Sequence, residues 1–307
     1  MITFKKVELN DKEWINHRLK QAQYRSCDFS FVNNFIWRHS NHIEFADVNG
    51  FYCLKSGLGE EQIYTYPVGD GDIKPIIEAL MEDAKERNIQ FRLRGIPESE
   101  VSKVEEAFPG LFTIKAPRDE SDYVYKTERL TTLAGKKLHG KRNHIARFKD
   151  NPDWQYEQIT QENIEECKQM NAKWCSLYDC ENDTDLQLEA CAVSCAFKNF
   201  FELDLVGGLI RREGEVIAYT IGEPLTDDTF VVHIEKAFPD IQGAYPMINQ
   251  QFVIHNCQDY EYVNREEDMG EEGLRKAKLS YYPDLLIEKY IACLLYTSDA
   301  ADDRISV

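Results

Sequence analysis

From Thr229 to His255 the chain reads TFVVHIEKAFPDIQGAYPMINQQFVIH, and this stretch limits the fold more than any other. Phe230, Val231, Val232 and Ile234 make a continuous apolar run, the pattern of a strand buried on both faces. A turn around Gly243 follows and ends by opening a helix. Pro246 suits a first helical position, and Ile248 with Phe252 supplies an i, i+4 apolar pair. A strand that feeds a helix in this way can aim backbone N–H groups at one point, where an anion could sit. Turns of this kind more often only connect elements.

The same order of signals occurs twice. In the first half, Asn49-Gly50 marks a hairpin between strands at 43–48 and 51–55, and 62–66 gives a third strand. Asp72 is the expected N-cap of a helix striped by Ile73, Ile76, Ile77, Leu80 and Ala84. A strand at 90–94, a helix at 98–108 and a strand at 121–128 complete that half. In the second half, strands at 205–211 and 215–223 bracket Arg212-Glu213-Gly214. The strand, turn and helix described above come next, then a strand at 260–264, a helix at 271–280 and a last strand at 285–290. Two helices should precede that half. One is capped by Thr160 and carries Ile164, Cys167, Asn171 and Trp174; the other packs through Leu188, Cys191, Ala192 and Cys195. The expected class is α/β, of the α+β kind. Two tandem domains, 1–130 and 131–292, each hold a mixed, mostly antiparallel sheet flanked by helices.

Residues 293–307, CLLYTSDAADDRISV, resemble translated read-through of a sequencing-library adapter and are set aside as a non-native tail. The formal charge is −18, and the tail's three aspartates and one arginine contribute little of it. Such an acidic chain gains nothing from general attraction to nucleic acid or anionic membrane, so a polyanion needs a local basic patch. One is present. Residues 135–149, GKKLHGKRNHIARFK, carry six cations and two histidines, with Leu138, Ile145 and Phe148 as a single apolar stripe. The segment reads equally as a solvated boundary helix and as a phosphate-binding face.

The cysteines include no C-x-x-C pair and no histidine stands at zinc-finger spacing, so no metal site is expected. They read as reduced thiols of a cytoplasmic protein, many of them core filler. No apolar run approaches the ~20 residues of a membrane span.

Four segments carry a family resemblance: CDFSFVNNFIWRH (27–39), GKKLHGKRNHIARF (135–148), FVVHIEKAFPDIQGAYPMINQQF (230–252) and NREEDMGEEGLRKAKLSYYP (264–283). With the order of elements, they resemble the bacterial domain-of-unknown-function family grouped with the C-terminal domain of phosphatidylglycerol lysyltransferases. Through it the chain is similar to the GNAT acyltransferase fold. The resemblance implies two GNAT-like domains, with a site in or near the second. It also implies movement of an aminoacyl group, from charged tRNA as donor, to an amine or hydroxyl on a small molecule or lipid headgroup. No multi-span membrane portion accompanies these segments, so a lipid acceptor does not follow from the resemblance alone. Gly273-Leu274-Arg275-Lys276-Ala277-Lys278 is similar to a Fem-type pattern and puts Lys278 on its lysine, with Ala277 replacing an aromatic residue. The coenzyme A loop of GNAT acetyltransferases, Gln/Arg-x-x-Gly-x-Gly/Ala, is matched only at Gly243. Asp240 would repel a pyrophosphate and Tyr245 would crowd it, so coenzyme A is disfavoured.

Acyl transfer needs a base, donors for the oxyanion and an anchor for the donor's phosphates. Charged groups gather where strands end and helices begin, the edge at which open α/β sheets bind ligands. Glu235 and Glu267 are the candidate bases, Tyr245 a proton donor, and Lys278 the partner of an oxyanion or phosphate. Lys136, Lys141, Arg142, Gly243, Asn264 and Lys276 are the candidate substrate contacts. Lys276 and Lys278 lie two apart on a helix and cannot face one pocket together. His233, inside its apolar run, reads as a hydrogen-bonded core histidine. Three functions stay open: an aminoacyltransferase, an acetyl-CoA-dependent N-acetyltransferase, and a catalytically silent binding module.

Overall fold

A computed structural model describes residues 1–295. The helices are α1 (Lys12–Ala22), α2 (Phe31–Ile36), α3 (Lys74–Glu86), α4 (Glu98–Ala107), α5 (Thr127–Thr132), α6 (His139–Lys149), α7 (Ile164–Leu177), α8 (Thr184–Lys198), α9 (Ala244–Asn256) and α10 (Glu272–Leu279). The first seven strands are β1 (Lys5–Lys6), β2 (Glu44–Val48), β3 (Phe51–Ser56), β4 (Ile63–Val68), β5 (Arg92–Pro97), β6 (Phe112–Lys115) and β7 (Asp122–Lys126). The second seven are β8 (Trp154–Gln158), β9 (Val206–Arg212), β10 (Glu215–Pro224), β11 (Thr229–Ala237), β12 (Tyr262–Asn264), β13 (Leu285–Ile287) and β14 (Lys289–Leu294).

Two seven-stranded sheets result, in the orders β1-β2-β3-β4-β5-β14-β6 and β8-β9-β10-β11-β12-β7-β13. They correspond position by position, and each half has given one strand to the other. β7 pairs with β12 and β13 of the second sheet, while β14 pairs with β5 and β6 of the first. β4 with β5 and β11 with β12 are the parallel pairs, and the other recorded pairings are antiparallel. The mixed, mostly antiparallel architecture is therefore as expected. The strand partners are not. Asp122–Lys126, placed with the first half, lies in the second sheet, and the last expected strand breaks at Glu288 into β13 and β14. Apolar pattern marks a strand without naming its neighbour. Cys293 and Leu294, set aside with the tail, pair with Thr113 and Phe112 in β14; residues 296–307 of the tail lie outside the described residues.

Local chemistry accounts for most element boundaries. Both hairpins turn on two residues of positive φ, Asn49 (52°) with Gly50 (87°) and Glu213 (51°) with Gly214 (81°), the twist that matches paired strands. Asp72 Oδ1 accepts the Lys74 amide at 2.9 Å, but α3 starts at Lys74 and its cap position is Ile73, one residue later than expected; the helix buries Ile76, Ile77, Leu80 and Ala84. Three further details differ. α7 starts at Ile164 after Asn163, with the Thr160 hydroxyl serving only its own turn. α8 buries Ala192, Val193, Ala196 and Phe197, leaving Cys191 exposed, because the apolar bulk sits one position further round the helix. α9 starts at Ala244, so Pro246 is its third residue.

A large core cluster runs from the first sheet through α2 into α7 and α8, so the halves share buried surface. A second cluster fills the other face of the second sheet, under α5, α6 and α9.

The exchanged strands meet at a buried ion cluster. Asp122 opens β7 and Lys289 opens β14, and the Lys289 ammonium lies 2.8 Å from Asp122 Oδ1 and 2.9 Å from Glu267 Oε2. Lys289 is 1% exposed and Asp122 0%. Asp122 also accepts the Cys27 amide and the Asn264 side-chain amide, each at 2.8 Å. Replacing Lys289 by Met strands the buried Asp122 carboxylate and the half-buried Glu267 and should cost about 3–5 kcal/mol, read from the urea midpoint. Adding Asp122→Asn should recover part of that loss. A Lys289→Met chain as stable as the parent would show that the cluster does not hold the exchange together.

Candidate functional site

A bulge in the second sheet arranges the chemistry. Between Ile221 and Gly222 of β10, strand β11 carries one extra residue, His233. A Cβ at Gly222 would stand 2.2 Å from the Val231 carbonyl oxygen, so glycine permits the close approach. The slip changes faces along β11. Phe230 and Val232 face α9, and beyond the bulge Glu235 and Ala237 do so as well.

His233 is turned toward the first half. Its Nδ1 is 2.8 Å from Glu266 Oε1 and its Nε2 3.2 Å from Glu223 Oε1, and the Ser30 hydroxyl also donates to Glu223. Burial alone would lower its pKa, but Glu223 and Glu266 outweigh that and raise it to about 9, so the ring is an imidazolium at neutral pH. The core-histidine reading holds, with both nitrogens donating to carboxylates.

On the α9 face, Arg265 Nη2 and Asn249 Nδ2 donate to the two oxygens of Glu235 at 2.8 and 2.9 Å. Lys141 of α6 joins them. Its ammonium lies 4.0 Å from the centre of the Tyr281 ring, which also stands 4.8 Å from the Arg265 guanidinium. Burial, and then the Arg265 charge, lower the Lys141 pKa to about 8. Tyr245 lies one turn before Asn249 on α9, and burial pushes its phenol up to about 12.

The candidate residues fall into three groups. Glu235 and Lys141 share the α9 face, while Tyr245, on the same helix, turns its phenol toward Trp174 of α7 and the Ala237 backbone. Glu267, Asn264 and Lys278 belong to the seam between the halves. There Glu267 is held ionised chiefly by Lys289, against the effect of its burial. Lys278, buried, spends its ammonium on the carbonyls of Arg265 (2.7 Å) and Glu267. The third group is peripheral: Lys136 is exposed, Lys276 pairs with Glu272 at 2.7 Å, and Arg142 donates to the Leu133 and Gly135 carbonyls. Gly243 (φ 85°) begins the α9 turn, but a Cβ there would lie 2.3 Å from the His144 carbonyl oxygen. Helix α6 thus covers the face an anion would approach.

Arg265, Asn249, Asp122 and Lys289 were missed as site residues. Only Arg265 carried a signal, as one of the charges that close β12. Cys27, Asp122 and Glu267 bring possible metal-ligand atoms within 4.8 Å of one another. The Lys289 ammonium is itself within 3.4 Å of all three residues, so the cation of that cluster is a lysine.

The raised His233 pKa has a defined consequence. Its stabilising effect is complete below the ordinary value of 6.5 and fades as pH rises through about 9. Unfolding free energy of the parent chain, relative to His233→Gln, should therefore fall across that window. A difference that stays flat with pH would contradict the ion triad.

Comparison with known proteins agrees with this architecture. A conserved protein of unknown function from Bacteroides thetaiotaomicron has the same fold, with TM-score 0.91 and 40% identity over 96% of this chain and 100% of that one. The C-terminal domain of an Agrobacterium fabrum protein named for lysylphosphatidylglycerol synthesis follows at TM-score 0.67 and 17% identity (95% and 93% covered). L-PGS from Bacillus licheniformis gives 0.57 and 14% (86% and 92%). An uncharacterised protein of Mycoplasmoides gallisepticum is 24% identical over 180 residues, 56% of this chain, which spans about half the length of that curated relative (55%). Among the described residues no helix is long and apolar enough to cross a membrane. Residues 19–293 match the family described as phosphatidylglycerol lysyltransferase, C-terminal, and the chain belongs to that family.

Proposed function

We propose that the chain is an aminoacyltransferase that takes its acyl group from charged tRNA and passes it to an amine or hydroxyl acceptor, a small molecule or a lipid headgroup. The observation that carries this reading is the state of the basic segment. Among the described residues, none of the six cations between 135 and 149 is ion-paired, although acids outnumber Lys and Arg by 54 to 36 in the whole chain. Their contacts are carbonyls and rings: Arg142 with the Leu133 and Gly135 carbonyls, and Lys137, Lys141 and Lys149 with Tyr282, Tyr281 and Trp154. Lys136, Lys137, Arg147 and Lys149 are exposed and available to phosphates, with Arg147 and Lys149, two apart on α6, on different sides of that helix. Lys141 and Arg142 turn inward.

In the transfer, the ester C–O bond to the tRNA 3′ oxygen breaks as the acceptor nitrogen or oxygen bonds to the carbonyl carbon. The acceptor's proton passes to Glu235, the candidate base on this face, and one is gained by the leaving 3′ oxygen. Tyr245, which keeps its proton at neutral pH, suits delivery of that proton. Lys141 and Arg265 suit the developing oxyanion. The acetyl-CoA reading ranks second. β11 and β12 pair only as far as Val231 and Asn264, and beyond them Glu235 with Arg265, and His233 with Glu266, bridge the gap. α6 covers Gly243 as well.

Binding of tRNA to the full chain should weaken steeply with salt. Changing Lys136, Lys137, Arg147 and Lys149 together to Ala should lower the slope of log K against log salt by about 3–4. Lys276→Ala should change it little. A slope near zero in the parent chain, or binding of acetyl-CoA in place of tRNA, would overturn the proposal.

A further inference from the structure

Helix α7 ends in a turn that sets two cysteines side by side. Tyr178 is its cap residue, Asp179 takes a left-handed conformation (φ 55°), and the Cys180 amide donates back to the Cys175 carbonyl at 3.1 Å. This is the six-residue closure with which many helices stop, and aspartate tolerates the left-handed position better than most residues. The closure brings the side chains of its first and sixth residues together, and apolar residues often fill both places. Here both are thiols. Cys180 is 6% exposed and belongs to the large core cluster, while Cys175 is half-buried and packs against it. Burial, and then the hydrogen bond between the two thiols, push Cys175 up to about 11. Among the described residues, no third His, Cys, Asp or Glu closes on the pair as a metal ligand.

We propose that Cys175 and Cys180 are a redox-active dithiol, a modification site that a small-molecule disulfide such as oxidised glutathione converts to an intramolecular disulfide. Cys175, the more exposed of the two, meets the oxidant. It loses its proton, and the thiolate attacks one sulfur of the small molecule. A mixed disulfide forms on Cys175 as the first thiolate of the oxidant leaves. Cys180 then gives up its own proton and attacks the Cys175 sulfur, expelling the second thiolate. Two protein thiols are oxidised, one disulfide is reduced to two small thiols, and the two protons end on those thiols. Side chains that the turn already holds together need little movement to reach disulfide geometry. The crosslink fastens the turn that carries Tyr178, whose ring stacks on Trp174 at 4.2 Å, with the Lys236 ammonium 3.7 Å from the centre of the Trp174 ring.

The test treats the full chain with oxidised glutathione, traps the remaining free thiols with N-ethylmaleimide and locates them by mass spectrometry with fragmentation. The oxidised chain should carry a crosslink between Cys175 and Cys180, with the loss of two hydrogens, no glutathione left on either, and full reversal by dithiothreitol. Its urea midpoint should rise above that of the reduced chain. Because the attacking group is a thiolate, the rate should rise about tenfold for each pH unit between 7 and 9. Cys180→Ala should stop the reaction at a stable glutathione adduct on Cys175, which separates a resolving thiol from a neighbour that only packs. Cys175→Ser should abolish the crosslink, and Cys191→Ser should leave it unchanged. A parent chain that keeps glutathione on Cys175, or that joins either cysteine to a different partner, would overturn the proposal. So would a Cys175 that stays reduced at pH 9 in oxidised glutathione; the two thiols would then only fill the apolar places of the turn.

Discussion

The contact between Asp122 and Lys289 is the constraint on which the rest of the structure depends. Each residue opens the strand that its half has given away, and the two charges meet where those strands leave home. Burying such a pair is costly, and apolar residues of similar volume would often be as stable. Its effect is specificity. An aspartate at the start of β7 and a lysine at the start of β14 reward one pairing of strands with sheets. A chain that kept both strands at home would have to bury these charges without that contact. Burial also pushes Asp122 above the usual carboxylate range, with Glu267 and Asp28 acting the same way against Lys289.

Away from that contact, the second sheet has an irregular centre. The His233 bulge is tolerated where Gly222 lets the backbone approach, and it has two results. It sends an imidazolium to the carboxylates at the seam, and it moves Glu235 to the α9 face. Without the slip, Glu235 would share the face of Val231, away from Asn249 and Lys141. The unpaired ends of β11 and β12 are thus spanned by charged side chains where an open gap would otherwise stand.

Much of this was legible in the sequence, for physical reasons that differ by residue. The hairpins, α3 and β11 follow from local rules: Asn49-Gly50, the Ile76 to Ala84 stripe, and a strand apolar on both faces. The inward burial of Leu138, Ile145 and Phe148 followed from helical period. What was not legible is non-local. Nothing in the residues of β7 says that it pairs with β12. A bulge is set by a partner strand, so the face of Glu235 could not be read from alternation. Lys289 looked like one charge in a last strand, because the acids around it come from 28, 122 and 267. Lys278 stood out by its similarity to a known pattern, yet in the fold it ties carbonyl groups.

Helix α6 joins these lines of argument, since it serves two surfaces at once. Its outer cations remain unneutralised in an acidic chain, while Lys141 reaches inward to Tyr281 and the neighbourhood of Arg265 and Glu235. An α-helix with its side chains is only about 10–12 Å across. A polyanion on the outer face and a small group on the inner face would therefore be held one helix diameter apart. The same helix closes the Gly243 turn against His144. A displacement of α6 would then open that turn, release Lys141 from its ring and move the outer cations together. On the aminoacyl-transfer reading, the position of one helix would link the proposed docking surface to the chemistry proposed beneath it.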